Sequence, residues 1–410
     1  MSTAQSVIMQ LRSDIDTANG ITGKKDTTTH TAMQSLITGY GAGGTKITED
    51  WQRPSDWPDL ESLGKPEGGT IYLTYDCRDT VSGAYPGRMC LMVNGLISLE
   101  RGRVENGQFT ATAVVGQITS NTYGEDLPAD EGNFVVYRLK CSGLWSFTDD
   151  NQFTLYLQPC VEVYGTADGD AGSLMEAHSY RGPAQSVKSF VLYGNTFNGF
   201  AGTGAANYEY AVERLNMDDW VTGSVLTSLA YNLGSLTYLK KLTVPFDTSA
   251  VTNFSYLFSG NMSMEQLDIS AMDTSAATTM NGMFANNRRL RSLDLSHFKT
   301  AGVEAFANMF NGCTSLTDLD FSGLDTSASA EATINMFNGC YNLTNLKVGK
   351  ITKNFRFAVA GKLTHESLLN VIAALAETET TQTLTIGAAN LAKLSEEEIA
   401  AATEKGWTVV

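Results

Sequence analysis

The sequence has little of what a metalloprotein, a disulfide-linked protein or a membrane protein requires. Its six cysteines and four histidines are scattered through 410 residues, with no CxxC pair and no zinc spacing, so we expect neither a metal nor a cofactor. No apolar run approaches about 20 residues, and the N-terminus lacks the basic start and apolar core of a signal peptide. We therefore expect no membrane insertion and a protein made in the cytoplasm.

Basic residues are also scarce. The 28 Lys and Arg residues face 44 Asp and Glu residues, which gives a formal net charge of -16. Such a surface repels phosphate groups, so we exclude nucleic acid as a partner. Hydrophobic residues make up 42% of the chain and aromatic residues 10%, which is the composition of a folded protein with room for two or three domains.

Catalytic motifs are missing as well. The chain has no GxSxG nucleophile motif and no Gly-rich phosphate loop with its Lys. Asp168 and Asp170 resemble the start of a calcium loop, but the distal Glu is absent, which favours a solvated turn. A carboxylate pair for glycoside cleavage is recognisable only by its separation in space. We expect a protein that is not an enzyme.

Two segments precede the main repeat. Residues 1–44 combine helical apolar spacing with a Gly-rich end, which predicts a helical attachment and oligomerisation hairpin followed by a linker. In residues 45–186 the apolar period changes to two, in runs rich in β-branched and aromatic residues, which predicts an antiparallel β-sandwich. We interpret Trp51 and Trp57 as an apolar plug on this domain, with a sugar-stacking platform as the alternative.

A repeat in residues 187–362 is the strongest signal. Units follow one another at offsets of 25, 26, 26 and 27 residues, starting at Leu239, Met264, Leu290, Leu316 and Leu343. Each unit opens with two apolar residues two positions apart, typical of a short strand, and each of the first four continues with a Leu–Phe or Met–Phe pair. Stacking the coils would join the strands into one parallel sheet.

Polar residues form two rows along these coils. Asp268, Asp294 and Asp320 lie between the inward apolar pairs, so they are predicted to stand one coil apart on the outer face. Like charges at that spacing repel by roughly 1 kcal/mol in water, a cost that the row tolerates if it binds cations, bonds to a ligand's hydroxyl groups or caps neighbouring backbone. We predict a ligand site there, with Tyr256 and His297 as aromatic contributors. The second row is interpreted as turn chemistry and comprises Asp247, Asp273 and Asp325, with Lys299 in the third coil.

The residues of the repeat resemble a known family. The pattern LDxSxxDTSxxTxMxxMFxxC, clearest in 264–287 and 316–340, resembles the BspA-like class of leucine-rich repeats, found on bacterial surface adhesins and in phage proteins. The segment LRSDIDTANGITGKKDTTTHTAMQSLITGYG resembles the head segment of phage tail proteins, and DWQRPSDWPDL resembles what often follows it. These resemblances imply a phage tail fibre or receptor-binding protein, assembled in the host cytoplasm and located in the virion.

The same resemblances imply the partners. Residues 1–44 would attach to other tail or baseplate proteins, and the chain would form a homo-oligomer, with a trimer as one option. The solenoid would bind a glycan or protein of the host-cell surface, with the β-sandwich as an additional candidate for this binding. Three alternatives stay open: an exported bacterial adhesin with leucine-rich repeats, a polysaccharide depolymerase, and a purely structural tail component.

The sequence NMFNGC occurs twice. Its two cysteines are compatible with a metal site, with a disulfide, or with one structural position that recurs in each coil. Cys313 and Cys340 end the two copies, and Asn261 and Asn287 take their place in the coils before. Two thiols alone make an incomplete metal set, whereas stacked coils bring them within disulfide range. The resemblance implies an Asn/Cys structural ladder that satisfies backbone groups, and we predict that both cysteines are buried, neighbouring and reduced.

The sequence pattern of the last segment, 363–410, predicts a small αβ cap. A helix is capped by Thr364, and a second helix opens with the capping box at Ser395 and Glu398 and stops at Gly406. A solenoid needs such a cover for its last apolar layer. The predicted fold class is therefore α+β multidomain, with a helical hairpin, an antiparallel β-sandwich, a leucine-rich-repeat solenoid and this cap.

Overall fold

The computed structural model describes most of the chain from residue 51 onward. The described ranges are 51–77, 88–92, 96–118, 123–126, 133–142, 154–156, 160–169, 187–197, 212–217, 221–222, 226–329, 334–357 and 360–410. They belong to one compact unit, Glu49–Val410. The predicted helical hairpin and linker at 1–44, and the Asp170 turn, lie outside the described residues.

The described residues are mostly β structure, which corrects the predicted α+β multidomain class. The helices among them are a 3-10 helix (Leu60–Leu63), α1 (His365–Ala374), α2 (Ala388–Leu391) and α3 (Glu396–Glu404). The strands are β1 (Thr70–Asp76), β2 (Arg88–Met92), β3 (Leu96–Glu105), β4 (Gln108–Ile118), β5 (Tyr123–Asp126), β6 (Phe134–Ser142), β7 (Thr154–Tyr156), β8 (Cys160–Gly169), β9 (Ser189–Phe197), β10 (Arg214–Asn216), β11 (Val221–Thr222), β12 (Lys241–Thr243), β13 (Gln266–Asp268), β14 (Ser292–Asp294), β15 (Asp318–Asp325), β16 (Asn345–Lys350), β17 (Phe355–Arg356), β18 (Gln382–Thr385) and β19 (Trp407–Val409). The short strands from β12 to β16 build a β-solenoid.

The first large sheet is mixed, although every strand pair of the described residues within the predicted β-sandwich segment, 45–186, is antiparallel. Its order is β10-β9-β8-β1-β6-β3-β4, with β11 also pairing β9. The pairs from β8 to β4 are antiparallel, but β8, β9, β10 and β11 pair in parallel. The reason is that β9 and β10 are degenerate first coils of the repeat: Leu215 lies opposite Phe190 in parallel register. The boundary predicted at 186/187 thus falls between two strands of one sheet.

The segment before β1 packs on this sheet through one ion-pair network. Strand β1 is the central strand, and its run of buried side chains shows that both faces are covered. Leu60 is buried on one face beside Tyr72 and Tyr164. Arg53 donates two hydrogen bonds to the buried Glu162 carboxylate, at 2.5 and 2.6 Å. This paired charge fixes the position of Trp51 beside the sheet.

Each solenoid coil begins with a short parallel strand whose middle residue points into the core. Leu242 pairs with Leu267, and Leu319 lies between Leu293 and Leu346. The strands form two sheets, β12-β13 and β14-β15-β16, in place of the single sheet predicted. At the junction, Leu267 is only partly buried, whereas its four counterparts are buried.

The opposite side of each coil, which we call the turn wall, comprises residues 252–260 and their counterparts. Its N–H groups divide between two kinds of acceptor. Alternate N–H groups, such as that of Tyr256, donate to a carbonyl of the next coil, Asn281 in this case, at 2.8 Å. The intervening ones close turns within the coil, as from Ser259 to the Tyr256 carbonyl at 3.1 Å. The backbone is therefore satisfied without a full strand.

The inner side of the turn wall carries a column of stacked rings. Phe258, Phe284, Phe310 and Phe337 lie 5.5 to 5.7 Å apart, with interplanar angles of 3 to 15°. All four are buried. Each of these coils thus contributes one stacked Phe ring to the core, as the repeat predicted.

The C-terminal segment covers the last coil. Thr364 caps α1, and both hydrogen bonds of the Ser395–Glu398 capping box are present. The buried Ser367 hydroxyl of α1 accepts from Leu346 N at 3.0 Å and donates to the Thr344 carbonyl at 3.1 Å. These bonds close the open edge of β16. Across the described ranges, none of the helices is both long and apolar enough to cross a membrane.

Candidate functional site

The aspartate column was predicted to bind a ligand, but its side chains form hydrogen bonds within their own turns. Each carboxylate accepts the N–H of the serine two residues later, at 2.9 to 3.1 Å, in the pairs Asp268–Ser270, Asp294–Ser296 and Asp320–Ser322. The second oxygen of Asp320 contacts Lys347 Nζ at 3.1 Å. These Asx turns give the column a local structural function within each coil.

The second aspartate row makes the same kind of turn. Asp247, Asp273 and Asp325 each accept a serine N–H at 2.8 Å. The bonds from Ser275, with Lys299 Nζ 3.6 Å away, lower the pKa of Asp273 below its ordinary value. Turn chemistry is therefore confirmed for this row, and Lys299 forms an ion pair with Asp273 of the preceding coil.

A buried threonine column lies beside that row and was not identified from the sequence. Thr274 Oγ1 accepts Lys299 N at 2.8 Å and donates to the Lys299 carbonyl at 3.1 Å. Thr300 bonds in the same way to the next coil. The sequence does indicate this column, because the Thr of the DTS motif recurs at the spacing of the repeat.

The side chains of the Asn/Cys ladder also form hydrogen bonds to the backbone. Asn261 Nδ2 and Asn287 Nδ2 donate to carbonyls of the preceding coil at 2.9 Å. Cys313 and Cys340 do the same with their S–H groups, at 3.1 and 3.2 Å. All four side chains are buried, and both cysteines are free thiols. Burial raises the pKa of Cys313 to about 12 and also raises that of Cys340.

Two positions in each turn wall adopt positive φ. The first of these, which we call the left-handed column, comprises Tyr231, Tyr256, Gly282, Asn308 and Asn335, with φ between 54 and 63°. Gly and Asn tolerate this conformation, whereas a bulky side chain there is an outlier. The strain is therefore confined to the two coils that carry Tyr.

Tyr231 and Tyr256 form an exposed stack, which we call the tyrosine shelf. Their rings lie 4.9 Å apart and 8° from parallel, and Tyr231 is 43% exposed. Gly282 makes room beneath them, because a Cβ there would lie 2.2 Å from the Tyr256 ring. The stack thus rests on a glycine, with its outer ring open to solvent. Burial and the neighbouring Tyr256 raise the pKa of Tyr231.

The five predicted ligand residues are not brought together. Tyr256 lies on the turn wall, while Asp268, Asp294 and Asp320 lie in strands β13, β14 and β15 on the other side of the coils. The His297 ring contacts Phe298 edge-on and places Nε2 3.1 Å from the Ile269 carbonyl, so it is tied to the strand side. Tyr231 was missed, although it stands 25 residues before Tyr256, one repeat length away.

The tryptophans before β1 make two different kinds of contact. Trp57 packs 6.4 Å from Phe134 of β6, as a plug would. Trp51 lies 6.2 Å from Trp57 and carries the guanidinium groups of Arg53 and Arg214 at 5.7 and 5.3 Å from its ring centroid. Within the ranges that the structure describes, no group of three or more His, Cys, Asp or Glu side chains is placed to hold a metal.

Comparison with known proteins adds one family. Residues 227–349 match the family model described as Mycoplasma protein of unknown function, DUF285. The match covers less than a third of the chain and coincides with the coils from β12 to β16. No curated protein matches the chain. The family match and the β-solenoid together fit a repeat-built surface protein.

Proposed function

We propose that this chain is a receptor-binding protein of a bacteriophage tail, which binds a host-surface glycan through the turn wall of its solenoid and performs no chemistry on it. Residues 1–44 would mount it on the tail. The resemblance of the N-terminal segment to phage tail proteins supports the setting, and the tyrosine shelf supports the binding.

The tyrosine shelf is the observation that carries this proposal. A non-Gly residue held at positive φ costs of order 1–3 kcal/mol, and two successive coils bear that cost with Tyr. Ring stacking contributes about 0.5–1.5 kcal/mol. Asn308 and Asn335 fill the same position without a ring, so the fold itself does not need Tyr there. An exposed ring that the fold does not need at this position, as in Tyr231, is available to stack on a ligand ring.

A glycan is the ligand class that this geometry fits best. The apolar face of a pyranose packs on an aromatic ring, and Tyr adds a hydroxyl for hydrogen bonds. Each shelf would bind weakly, because a single ring offers little area. Several copies on one tail would raise the effective affinity. Weak single contacts and multiple copies suit reversible search on a cell surface.

The test is a panel of bacterial surface polysaccharides probed with the full-length protein. We expect at least one to bind the wild type and not the double variant Tyr231→Asn, Tyr256→Asn, which keeps residues suited to positive φ. Tyr341→Asn, which removes another exposed Tyr (57%), should bind like the wild type. Binding that survives the double variant would contradict the shelf, and release of reducing sugar would contradict the non-enzymatic function.

An exported bacterial adhesin is the second candidate, because a repeat-built surface protein and the family match suit it as well. The two settings differ in where the protein resides. Immunodetection in purified phage particles supports the tail protein. Detection in the bacterial surface fraction alone supports the adhesin.

A further inference from the structure

The turn wall contains three Asn–Gly steps, and two of them belong to the repeated sequence NMFNGC. They are Asn281–Gly282, Asn311–Gly312 and Asn338–Gly339. Such a step is chemically labile, because Gly has no Cβ to keep its backbone nitrogen away from the Asn side chain. In a folded protein, the reaction therefore depends on what else holds that nitrogen.

The two NMFNGC copies have nearly the same local backbone. Asn311 N donates to the Asn308 carbonyl at 2.9 Å, and Asn338 N donates to the Asn335 carbonyl at 3.0 Å. The glycines that follow have φ of 79 and 83°. The copies are therefore a matched pair, which differ in the coils around them and not in the turn itself.

The difference between the steps is the hydrogen bond of the glycine nitrogen. Gly282 N donates to the Ala307 carbonyl at 2.8 Å, and Gly312 N donates to the Asn338 carbonyl at 2.7 Å. Gly339 lies in the last coil, where no further coil supplies an acceptor, and its N–H forms no hydrogen bond within the described part of the chain. The nitrogen that would react is thus held in the first two steps and not in the third.

The Asn side chains differ in the same direction. Asn311 Nδ2 donates to Asn308 Oδ1 at 3.0 Å, which holds that amide in place. Asn338 is exposed, and its side chain has no hydrogen-bond partner among the residues that the structure describes. Both the nitrogen and the amide carbon that it would attack are therefore less restrained in the last coil.

We propose that Asn338 is a deamidation site, at which the chain reacts with itself and then with water. Gly339 N gives up its proton and bonds to Asn338 Cγ, while the bond from Cγ to Nδ2 breaks. Ammonia leaves with that proton, and a succinimide ring remains. Water then opens the ring to aspartate or isoaspartate, with no oxidation or reduction.

The modification would place a carboxylate on a surface with little charge. Glu304 is the one charged side chain in the turn wall within the described ranges. This wall is the face proposed to bind the glycan, so the charge of that face would change as the protein ages. The deamidation itself does not depend on the proposed function.

Tandem mass spectrometry, which localises the modified residue, tests the proposal on the full-length protein after several weeks in mildly alkaline buffer. We expect Asn338 to convert at least roughly tenfold faster than Asn311 and Asn281, because those two react only when the coils open. Incubation in guanidinium chloride separates the coils, and there the three residues should convert at similar rates.

Two matched variants assign the conversion to one copy of NMFNGC. Asn338→Gln should abolish most of the deamidation in residues 300–347, whereas Asn311→Gln should leave it unchanged. Equal rates for Asn338 and Asn311 in the folded protein would overturn the proposal, because the free Gly339 nitrogen would then make no difference. An Asn338 that converts in guanidinium chloride and stays intact in the folded protein would overturn it as well.

Discussion

In this solenoid, hydrogen bonds from individual side chains connect neighbouring coils, as strand pairing does in a wider sheet. Asn287 shows this most clearly, because it is fully buried and donates to the carbonyls of both Phe258 and Phe284, at 2.9 and 2.7 Å. A buried carbonyl that loses its donor keeps its full desolvation cost. The ladder residue is therefore a stability determinant.

Replacing Asn287 tests the ladder. Asn287→Ala leaves two buried carbonyls without this donor, and we expect the free energy of unfolding in urea to fall by about 2–3 kcal/mol. Asn287→Cys should lose less, because the next two coils use Cys at this position. Equal losses in the two variants would contradict the ladder, because the S–H group of Cys would then contribute nothing beyond what Ala supplies.

The ladder thiols give a pH-dependent prediction. In the folded chain the Cys313 S–H donates to Phe284 O, and its pKa is raised from 9.0 to about 12. Its stabilising contribution is therefore complete below pH 9 and is lost as the pH rises toward 12. Between these values, wild-type stability should fall faster than that of Cys313→Asn, by up to ~1.4 kcal/mol per pH unit. Parallel stability curves would contradict a buried, protonated thiol.

At the scale of the element, each coil is held to the next by hydroxyl groups as well as by strands. Thr274 both accepts from and donates to the Lys299 backbone, and it is 1% exposed. Because strand β14 does not pair with β13, these side-chain bonds carry much of the contact between coils at that point.

A comparison of two Thr→Val variants, one buried and one exposed, measures that contribution. Thr274→Val keeps the volume but leaves a buried N–H and carbonyl without this partner, so we expect a loss of about 1–3 kcal/mol. Thr243→Val lies on the exposed face of β12 and should change stability by less than about 0.5 kcal/mol. Thermal or urea unfolding of both variants checks this, and equal stability of the two would refute the role of the column.

The elements also show how far the sequence could be interpreted. Repeat spacing predicted the Phe column, because one residue type returns in every coil, and the family resemblance implied the Asn/Cys ladder. It did not predict the shelf: Tyr231 breaks the Gly or Asn preference of its column, and stacking is a contact between coils. The parallel pairing of β8 with β9 was missed because strand order depends on distant partners.

At the scale of the molecule, the solenoid and the first sheet are one structure. Strands β9 and β10 belong to the repeat by register and to the sheet by pairing. The fold class was therefore misassigned: separate α and β modules were expected, and a mostly β unit was found. A continuous body of this kind holds the successive turn walls in a fixed relation, which suits recognition of an extended polymer.

The central claim is that the tyrosine shelf binds a saccharide ring, and tyrosine-selective carbon-13 NMR tests it most directly. The full-length protein, labelled on its tyrosine rings, is titrated with the polysaccharide fragment that binds best. We predict that the ring signals lost in Tyr231→Asn and Tyr256→Asn are the ones that shift on binding, while the Tyr341 signal stays in place. If the fragment binds and those two signals do not move, the account of the shelf is wrong.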